Sequence, residues 1–545
     1  MKIVVVGGVA AGASAATKAR RSDETAEIIV FEKGPYVSFA NCGLPYYVGG
    51  DIPRKENLLL VTPKLFKQRF NIDIRINHEV KDINPANKTV TVLSPDGEIT
   101  ESYDKLILAT GSKPMDPGIP GIDLEGIFNV LTVPDVEGIM QKMDSGVESV
   151  VVMGGGFIGI ETAEGFLKKG VKTTFIHRRT AVMKTYDPEF SVPLLKELQS
   201  MGLNLVLGKQ AKCFEGKNKV EAVIMTDGTR VAADLVVTAL GVRPQIELAE
   251  KAGLKIGHSG GVIVDEKMVT SDPNIYAAGD MVESTHLVTG EKVVIPLAGS
   301  ANKQGRIAGN NAIGGNMTFK GVLGTSIIKV GELTLARTGL NEREAKESGK
   351  DFIVSYTSSP SHATYYPGAR NMILKIIFEK GSGKLLGAQA AGYAGVDKRI
   401  DIIATALYGG MTVYDLEHLD LAYAPPYSSA KDPSIMAGMV GANILRGQLK
   451  IVSADELEAI KNDDSLVILD VRTPREHGNG AIEGSILLPV DQLREGYVQL
   501  DKNKRYVVYC KVGYRAYVAC RFLMQQGYDV CSLSGGYDAY TMNVS

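Results

Sequence analysis

The sequence predicts an α/β chain of several domains. Its first half holds two Rossmann-like strand–turn–helix units, an α+β region follows, and a small α/β module closes it. Three observations carry this. A branched apolar run at residues 2–6 opens into Gly7-Gly8-Val9-Ala10-Ala11-Gly12, a second such run at 150–153 opens into Gly154-Gly155-Gly156-Phe157-Ile158-Gly159, and a third, at 506–509, ends in Cys510-Lys511-Val512-Gly513-Tyr514-Arg515. At 545 residues, with 44% hydrophobic and 22% charged side chains, the chain has the length and composition of an ordinary multidomain globular protein. A net charge of −2 gives no electrostatic footprint for nucleic acid. The five cysteines, at 42, 213, 510, 520 and 531, are too scattered for a disulfide framework and fit the reduced thiols of a cytoplasm. No cluster shows metal-ligand spacing, and no apolar run approaches the roughly 18 residues of a membrane helix. The N-terminus has the outline of a secretory signal, with Lys2, an uncharged stretch to Thr17 and Ala13-Ser14-Ala15. The nucleotide-loop spacing of its glycines, and Phe31-Glu32 on schedule after them, argue against that outline.

Residues 2–6 (Lys-Ile-Val-Val-Val) read as a buried parallel strand. The glycine turn follows, then a helix to about Arg21, then a strand, Ile28 to Phe31, ending at Glu32. An acid about 20 residues past such a turn holds a ribose hydroxyl, and the helix N–H groups hold a pyrophosphate. Val9 stands at the usual second glycine position, where a branched side chain limits backbone approach to phosphate. The second unit matches the full spacing at Gly154, Gly156 and Gly159, with Glu161 on the opening helix. Its next strand, Thr173 to Ile176, ends not in an acid but in His177-Arg178-Arg179. Cations there accommodate a 2′-phosphate, so NADPH is expected, with NADH the alternative.

Tyr103 to Gly111 reads as a strand ending in the turn Ala109-Thr110-Gly111, and Thr270 to Asp280 reads as another ending in Gly279-Asp280. With the two glycine loops, these pieces resemble the two-dinucleotide-domain flavoprotein disulfide reductases. That resemblance implies FAD, with the Asp280 carboxylate on the ribityl chain. It also implies a flavin domain over 1–111 and 250–325, an inserted NAD(P)H domain over 112–249, and an α+β dimerisation domain over 326–446. After Gly447, the segments Asp470-Val471-Arg472 and Gly480 to Ser485, the Cys510–Arg515 loop and Ser534-Gly535-Gly536 resemble a rhodanese, a sulfurtransferase module, over 452–545. A thiolate in a backbone N–H cradle at a helix N-terminus is expected to be stabilised, and Arg515 adds positive charge for a sulfane-sulfur anion.

Between the two glycine loops lies Ser38-Phe39-Ala40-Asn41-Cys42-Gly43-Leu44-Pro45. Most reductases of this fold carry Cys-x₄-Cys at this place, but position 47 here is Tyr. A single thiol forms a mixed disulfide, a persulfide or a sulfenic acid rather than a disulfide of its own. The segment resembles the single-cysteine branch of the family, which holds coenzyme A-disulfide reductases, persulfide and polysulfide reductases, and NADH oxidases and peroxidases. The resemblance implies a homodimeric FAD enzyme that reduces coenzyme A (CoA) disulfide, CoA persulfide or polysulfide through Cys42, with Cys510 handling sulfane sulfur. It carries CoA contacts to Ser14, Lys18, Arg21, Ser38, Phe39, Asn41, Asn302 and Lys431, and further cofactor contacts to Lys33, Val80 and Ala298. It also implies that Tyr365 and Tyr423 come from the partner subunit and protonate or stabilise the leaving thiolate. A basic residue that the family has near position 70 is Phe70 here, which weakens the expected phosphate grip. Two alternatives stand beside this reading: an NAD(P)H oxidase or peroxidase working through a Cys42 sulfenic acid, and a sulfur-carrier or redox-sensing flavoprotein.

Overall fold

The computed structural model of the chain describes residues 1–544. They form two compact units, one of Met1–Val182 with Gln199–Val322, the other of Met183–Leu198 with the chain from Leu323 onward.

The first unit contains both glycine loops. β1 (Lys2–Val6) runs into α1 (Ala10–Ser22) and returns as β2 (Glu27–Glu32). These two strands sit in an all-parallel sheet ordered 275–277, 105–108, 2–6, 27–32, 73–76. Apart from the half-buried edge strand 73–76, its strands are buried on both faces, which is why they read as apolar runs. α1 is alanine-rich, favouring helix, and ends with Arg20 and Arg21 in the last turn, where cations suit the helix dipole. Before α2 (Leu44–Gly49) comes a 3₁₀ turn over Asn41–Gly43 that contains Cys42. The second sheet, also parallel, is ordered 204–207, 172–177, 149–153, 235–238, 127–128. It contains β3 (Ser149–Met153), which leads into α3 (Phe157–Lys168) and then β4 (Lys172–His177).

α1 packs on α4 (Ala298–Ala312) with almost no side chains between them. A Cβ at Gly305 would stand 2.1 Å from the Ala11 carbonyl oxygen, and one at Gly309 would stand 2.1 Å from that of Ala15. The two helices therefore touch backbone to backbone, in parallel register.

The second unit joins an antiparallel sheet to a parallel one. The antiparallel sheet is ordered 326–330, 333–339, 385–392, 371–379 and, at its edge, β5 (Phe352–Pro360). α5 (Val396–Tyr408) and α6 (Pro433–Leu445) follow it in the chain. The C-terminal module has a five-stranded parallel sheet that includes β6 (Arg505–Tyr509) and β7 (Asp529–Leu533), with α7 (Tyr514–Gln525) between them. Along β6 the side chains alternate. Tyr506, Val508 and Cys510 enter one core while Val507 and Tyr509 enter the other, the signature of a sheet covered on both faces.

The segment Met183–Leu198, expected inside the 112–249 domain, groups with the second unit. The cause is a buried ion cluster. Lys375, 1% exposed, holds Asp187 and Glu189 at 2.7 Å each, and Glu342 at 3.1 Å. One buried ammonium surrounded by carboxylates is tolerable only if all of them stay paired.

Gly305→Ala is expected to destabilise the first unit by about 1–3 kcal/mol, because the added methyl must push the helix backbones apart. The Tm of the variant would fall. An unchanged Tm would mean that the helix pair can slide at no cost.

Candidate active site

Three sequence-distant pieces meet at Cys42 in the first unit. The stretch before it leans on the first glycine loop. The Ser38 N–H donates to the Gly8 carbonyl at 2.9 Å, and Val37 packs where a Cβ at Gly8 would stand 2.8 Å away. Ser38 adopts φ +47, a left-handed conformation that a non-glycine residue enters at a cost. From there the chain pairs Phe39 with Leu59 and enters the turn that presents Cys42 to solvent.

The second glycine loop arrives through α3. A Cβ on Gly49 would stand 2.9 Å from the Gly165 Cα, and one on Gly165 would stand 3.0 Å from the Gly49 backbone, so α2 and α3 also cross in backbone contact. One turn before each glycine, the Tyr46 hydroxyl donates to the Glu161 carboxylate at 3.0 Å. One turn past Gly165, Lys168 pairs with Asp51 at 2.9 Å.

The electrostatics of the thiol draw on the same pieces. The Cys42 thiol is open to solvent, yet the protein around it pushes its pKa up. Burial contributes most, then the negative charges of Glu161 and Asp280. Glu161 belongs to the helix of the second glycine loop, and Asp280 to the Gly279-Asp280 turn. Burial raises the Glu161 carboxyl to about 7, against the lowering effect of the Tyr46 hydrogen bond. It raises Asp280 as well, which accepts from the Ser112 hydroxyl at 3.2 Å.

The residues around the first loop fit an FAD. Gly7 (φ +98) and Gly12 are required by close packing, since a Cβ on Gly12 would stand 1.8 Å from the Gly7 carbonyl oxygen. Glu32 accepts from the Gly8 and Gly34 N–H groups at 2.8 Å each, which fixes its carboxylate at the loop rim. Val9 caps α1 at φ −97, a conformation any residue adopts, so the missing glycine causes no strain. Thr110 and Gly111 (φ +71) turn the chain beside this loop, and Ala298 opens α4. Lys33 is exposed, and Val80 is buried in a neighbouring three-stranded sheet. At the second loop, Gly156 has nothing within 4 Å of its would-be Cβ, while Gly155 lies 2.8 Å from the His177 ring by the same measure. Burial and the neighbouring Arg179 and Arg178 hold His177 below its ordinary pKa, leaving the charge of this strand end on the two exposed arginines.

Ser14, Lys18 and Arg21 share one face of α1, and the Ser14 hydroxyl donates to Asn302 of α4 at 2.7 Å. Asn41 reaches the Leu131 carbonyl at 3.1 Å. Phe70 packs against the core with its ring 6.2 Å from that of Phe66, so no polar group is presented from there. Tyr365, Tyr423 and Lys431 belong to the second unit and are exposed. The two tyrosine hydroxyls lie 2.9 Å apart, and their hydrogen bond raises the Tyr365 pKa.

The second thiol, Cys510, ends β6 and is buried. The Gly513 N–H reaches its sulfur at 3.2 Å, and its carbonyl is anchored by the Tyr537 N–H at 2.8 Å. Arg515 is bidentate with Glu476 at 2.6 and 2.7 Å, and Cys510 also raises its pKa. That pairing holds Glu476 down at about 2. The cation expected over Cys510 is present, but it arrives already balanced by a carboxylate.

Residues 1–305 match the family model for pyridine nucleotide-disulphide oxidoreductases, 325–434 match that family's dimerisation domain, and 453–543 match the rhodanese-like domain. The chain belongs to the pyridine nucleotide-disulphide oxidoreductase family. Among its relatives is the NAD(P)H sulfur oxidoreductase (CoA-dependent) of Pyrococcus furiosus, 40% identical over 81% of this chain and 98% of the relative. The coenzyme A disulfide reductase of Staphylococcus haemolyticus is 35% identical over 81% and 98%. Among solved structures, reduced Bacillus anthracis CoADR-RHD superposes with a TM-score of 0.97 at 42% identity, covering 99% of this chain and 98% of that one. The NAD-dependent persulfide reductase of A. fulgidus gives 0.93 at 40%, covering 99% and 100%.

Tyr46 and Glu476 escaped the sequence reading. Tyr46 had one local signal, its place one turn before the Gly49-Gly50 pair. Glu476 had another, since Thr473-x-x-Glu476 is a capping-box pattern, and the structure shows that box.

Glu161→Gln removes one of the two carboxylates facing Cys42, so its thiol is expected to titrate at lower pH. The pH dependence of iodoacetamide alkylation measures this. The variant should react faster than the parent above pH about 7, where Glu161 is ionised, and like it below. Superimposable profiles would remove Glu161 from the thiol's surroundings.

Proposed function

We propose that this chain is an FAD-dependent NAD(P)H:CoA-disulfide and CoA-persulfide reductase that works through Cys42, with the fused rhodanese module handling sulfane sulfur at Cys510. The observation that carries this is the convergence on one solvent-open thiol of the first glycine loop, the helix of the second, and the Gly279-Asp280 turn. The activities for which the relatives are named, and the match to B. anthracis CoADR-RHD over 99% of this chain, support the choice of a CoA-linked sulfur substrate.

FAD, when bound, supplies two-electron transfer from the nicotinamide to sulfur. Gly7, Gly8, Gly12, Glu32, Lys33, Val80, Thr110, Gly111, Asp280 and Ala298 are the residues that would hold it. Gly154, Gly156, Gly159, Glu161, His177 and Arg178 would hold the nicotinamide nucleotide, with the arginine-ended strand favouring NADPH over NADH.

The remaining chemistry falls to the chain's own side chains. Because burial and two carboxylates favour the thiol, Cys42 needs a proton acceptor to become a nucleophile, and Glu161, one of the two carboxyls whose charge acts on it, titrates near neutrality and has suitable strength. Cys42 thiolate attacks one sulfur of CoA disulfide. A new S–S bond forms as the old one breaks, and CoA thiolate leaves. Attack on a CoA persulfide likewise expels either CoA thiolate or sulfide. Two electrons then return Cys42 to the thiol and release the second product. Ser14, Lys18, Arg21, Ser38, Phe39, Asn41, Asn302 and Lys431 would bind CoA. Tyr365 and Tyr423, supplied by the partner in a homodimer, would protonate the departing thiolate. Five free cysteines favour a cytoplasmic setting. Among the described residues no helix is long and apolar enough to cross a membrane.

Cys42→Ser tests the reading. Anaerobic mixing should leave flavin reduction by NADPH or NADH intact and abolish reoxidation by CoA disulfide and CoA persulfide. Full-speed reoxidation by either compound would overturn the assignment, and rapid reoxidation of the parent enzyme by oxygen alone would favour an oxidase. Cys510→Ser should remove sulfur transfer from thiosulfate and spare CoA disulfide reduction.

A further inference from the structure

The two loops that carry Tyr365 and Tyr423 have no regular structure of their own, and the tyrosines are 75% and 49% exposed. Exposed side chains on irregular loops do not hold a 2.9 Å hydroxyl–hydroxyl distance unless something beneath fixes both backbones. That support is Arg399 of α5, a guanidinium only 1% exposed. One of its nitrogens, Nη2, donates to the Ser361 carbonyl at 2.9 Å, to the Ser428 hydroxyl at 3.1 Å and to the Asp432 carboxylate at 2.9 Å. Ser361 lies four residues before Tyr365, while Ser428 and Asp432 lie five and nine after Tyr423.

The network closes on itself. The Ser428 hydroxyl donates to Asp432 at 2.7 Å, and Asp432 accepts from the Ser434 N–H at 2.9 Å, capping α6. The Ala363 N–H donates to the Ser428 carbonyl at 3.1 Å, joining the two loops directly. Lys398, next to Arg399, reaches the Ala422 carbonyl at 3.4 Å and Asp432 at 3.7 Å, which secures the residue before Tyr423. Burial opposes the charge on Asp432, but Ser428, the Ser434 N–H and Arg399 together hold its pKa below the usual carboxylate value. Gly395 opens α5 at φ +69, and a Cβ there would stand 2.2 Å from Arg399 Nη1. The fold thus keeps this position without a side chain to seat the arginine.

We propose that Arg399, Ser428 and Asp432 are positioning residues for the reductase reaction. They form a buried clamp that holds the Tyr365 and Tyr423 hydroxyls as one hydrogen-bonded pair. This rests on the reading of the two tyrosines given above and adds the element that makes them act as a unit. None of the three touches substrate, and their effect passes through the loops.

The flavin-loaded enzyme decides the matter. Ser428→Ala and Arg399→Lys are made singly and in the Tyr365→Phe/Tyr423→Phe background, and the two half-reactions are followed by anaerobic stopped-flow. Ser428→Ala deletes one hydroxyl and is the milder variant should Arg399→Lys fold poorly, and Tm checks both. Because misplacing a catalytic group by about 1 Å costs on the order of 100-fold, reoxidation by CoA disulfide should slow by roughly 10- to 100-fold, with flavin reduction by NADPH or NADH unchanged. In the double-phenylalanine background neither clamp variant should slow reoxidation further, the non-additivity of groups that act together. The clamp is overturned by multiplicative losses, by equal slowing of both half-reactions, or by unaltered reoxidation in the single variants. It also falls if the double-phenylalanine enzyme itself reoxidises at full speed. Failure of the wider functional reading looks different, because there Cys42→Ser keeps its activity.

Discussion

Two glycines in contact, Gly49 and Gly165, set the geometry on which the first unit's chemistry depends. Helices that cross with ordinary side chains keep their axes roughly 8–10 Å apart. Here no side chain intervenes, and the helix that follows Cys42 is drawn onto the helix of the second nucleotide loop. The neighbouring pairs then come within reach. Tyr46 meets Glu161 on one side of the crossing, and Asp51 meets Lys168 on the other. Any larger residue at either glycine would move Cys42 away from Glu161 and undo the electrostatic setting of the thiol. The same device recurs where α1 meets α4, so both contacts that locate nucleotide-loop helices are made by backbone rather than by interdigitated apolar side chains. Such contacts tolerate no repacking, which suits a site whose parts come from distant segments.

The chain's two distinctive thiols stand in opposite surroundings. Cys42 is open to solvent but faces two carboxylates, so the protein by itself favours its protonated form. Cys510 is buried, faces a backbone N–H and has an arginine beside it. A thiol whose neighbours are acidic is quiet until a proton acceptor and an electrophile arrive together, which limits adventitious oxidation of an exposed sulfur. A buried thiol within a donor-lined loop is shaped instead to retain an anionic sulfur adduct.

Much of this was legible in the sequence because it is local. The glycine loops, the Gly279-Asp280 turn and the Cys510–Arg515 loop are short patterns whose spacing follows from one strand, one turn and one helix. The strands at 2–6, 28–32, 150–153 and 173–176 came out close to their observed limits because parallel strands buried on both faces are unbroken apolar runs, whereas the runs 103–111 and 270–280 shorten to Lys105–Leu108 and Ile275–Ala277. What escaped was pairing across long separations. Nothing near Glu161 announces Tyr46, 115 residues away, and nothing near Lys375 announces Asp187 and Glu189. For that reason the segment Met183–Leu198 was expected with the second nucleotide domain, although its buried carboxylates tie it to the other unit. Arg399 was invisible for a related cause. A charged residue in an amphipathic helix reads as a solvated face, and only the fold shows that it is enclosed.

The C-terminal module is likewise built into its unit rather than strung behind it. β5 is an edge strand, and an uncovered edge exposes unpaired N–H groups that invite association with other chains. Here the Tyr356 N–H of that edge donates to the Ser534 hydroxyl at 3.1 Å, and Gly535 (φ +74) lies so close that a Cβ would stand 2.7 Å from Tyr356 Cβ. Two residues later the Tyr537 N–H holds the Cys510 carbonyl. The Tyr356 hydroxyl donates to Glu189 at 2.6 Å, one of the carboxylates around Lys375. Hydrogen bonds and the short segment from Ser534 to Tyr537 thus connect the ion cluster, across a sheet edge, to the backbone of the Cys510 loop. Cutting the module away would expose that edge and loosen the loop that holds Cys510, so in this protein the Cys510 loop and the antiparallel sheet form a single structural element.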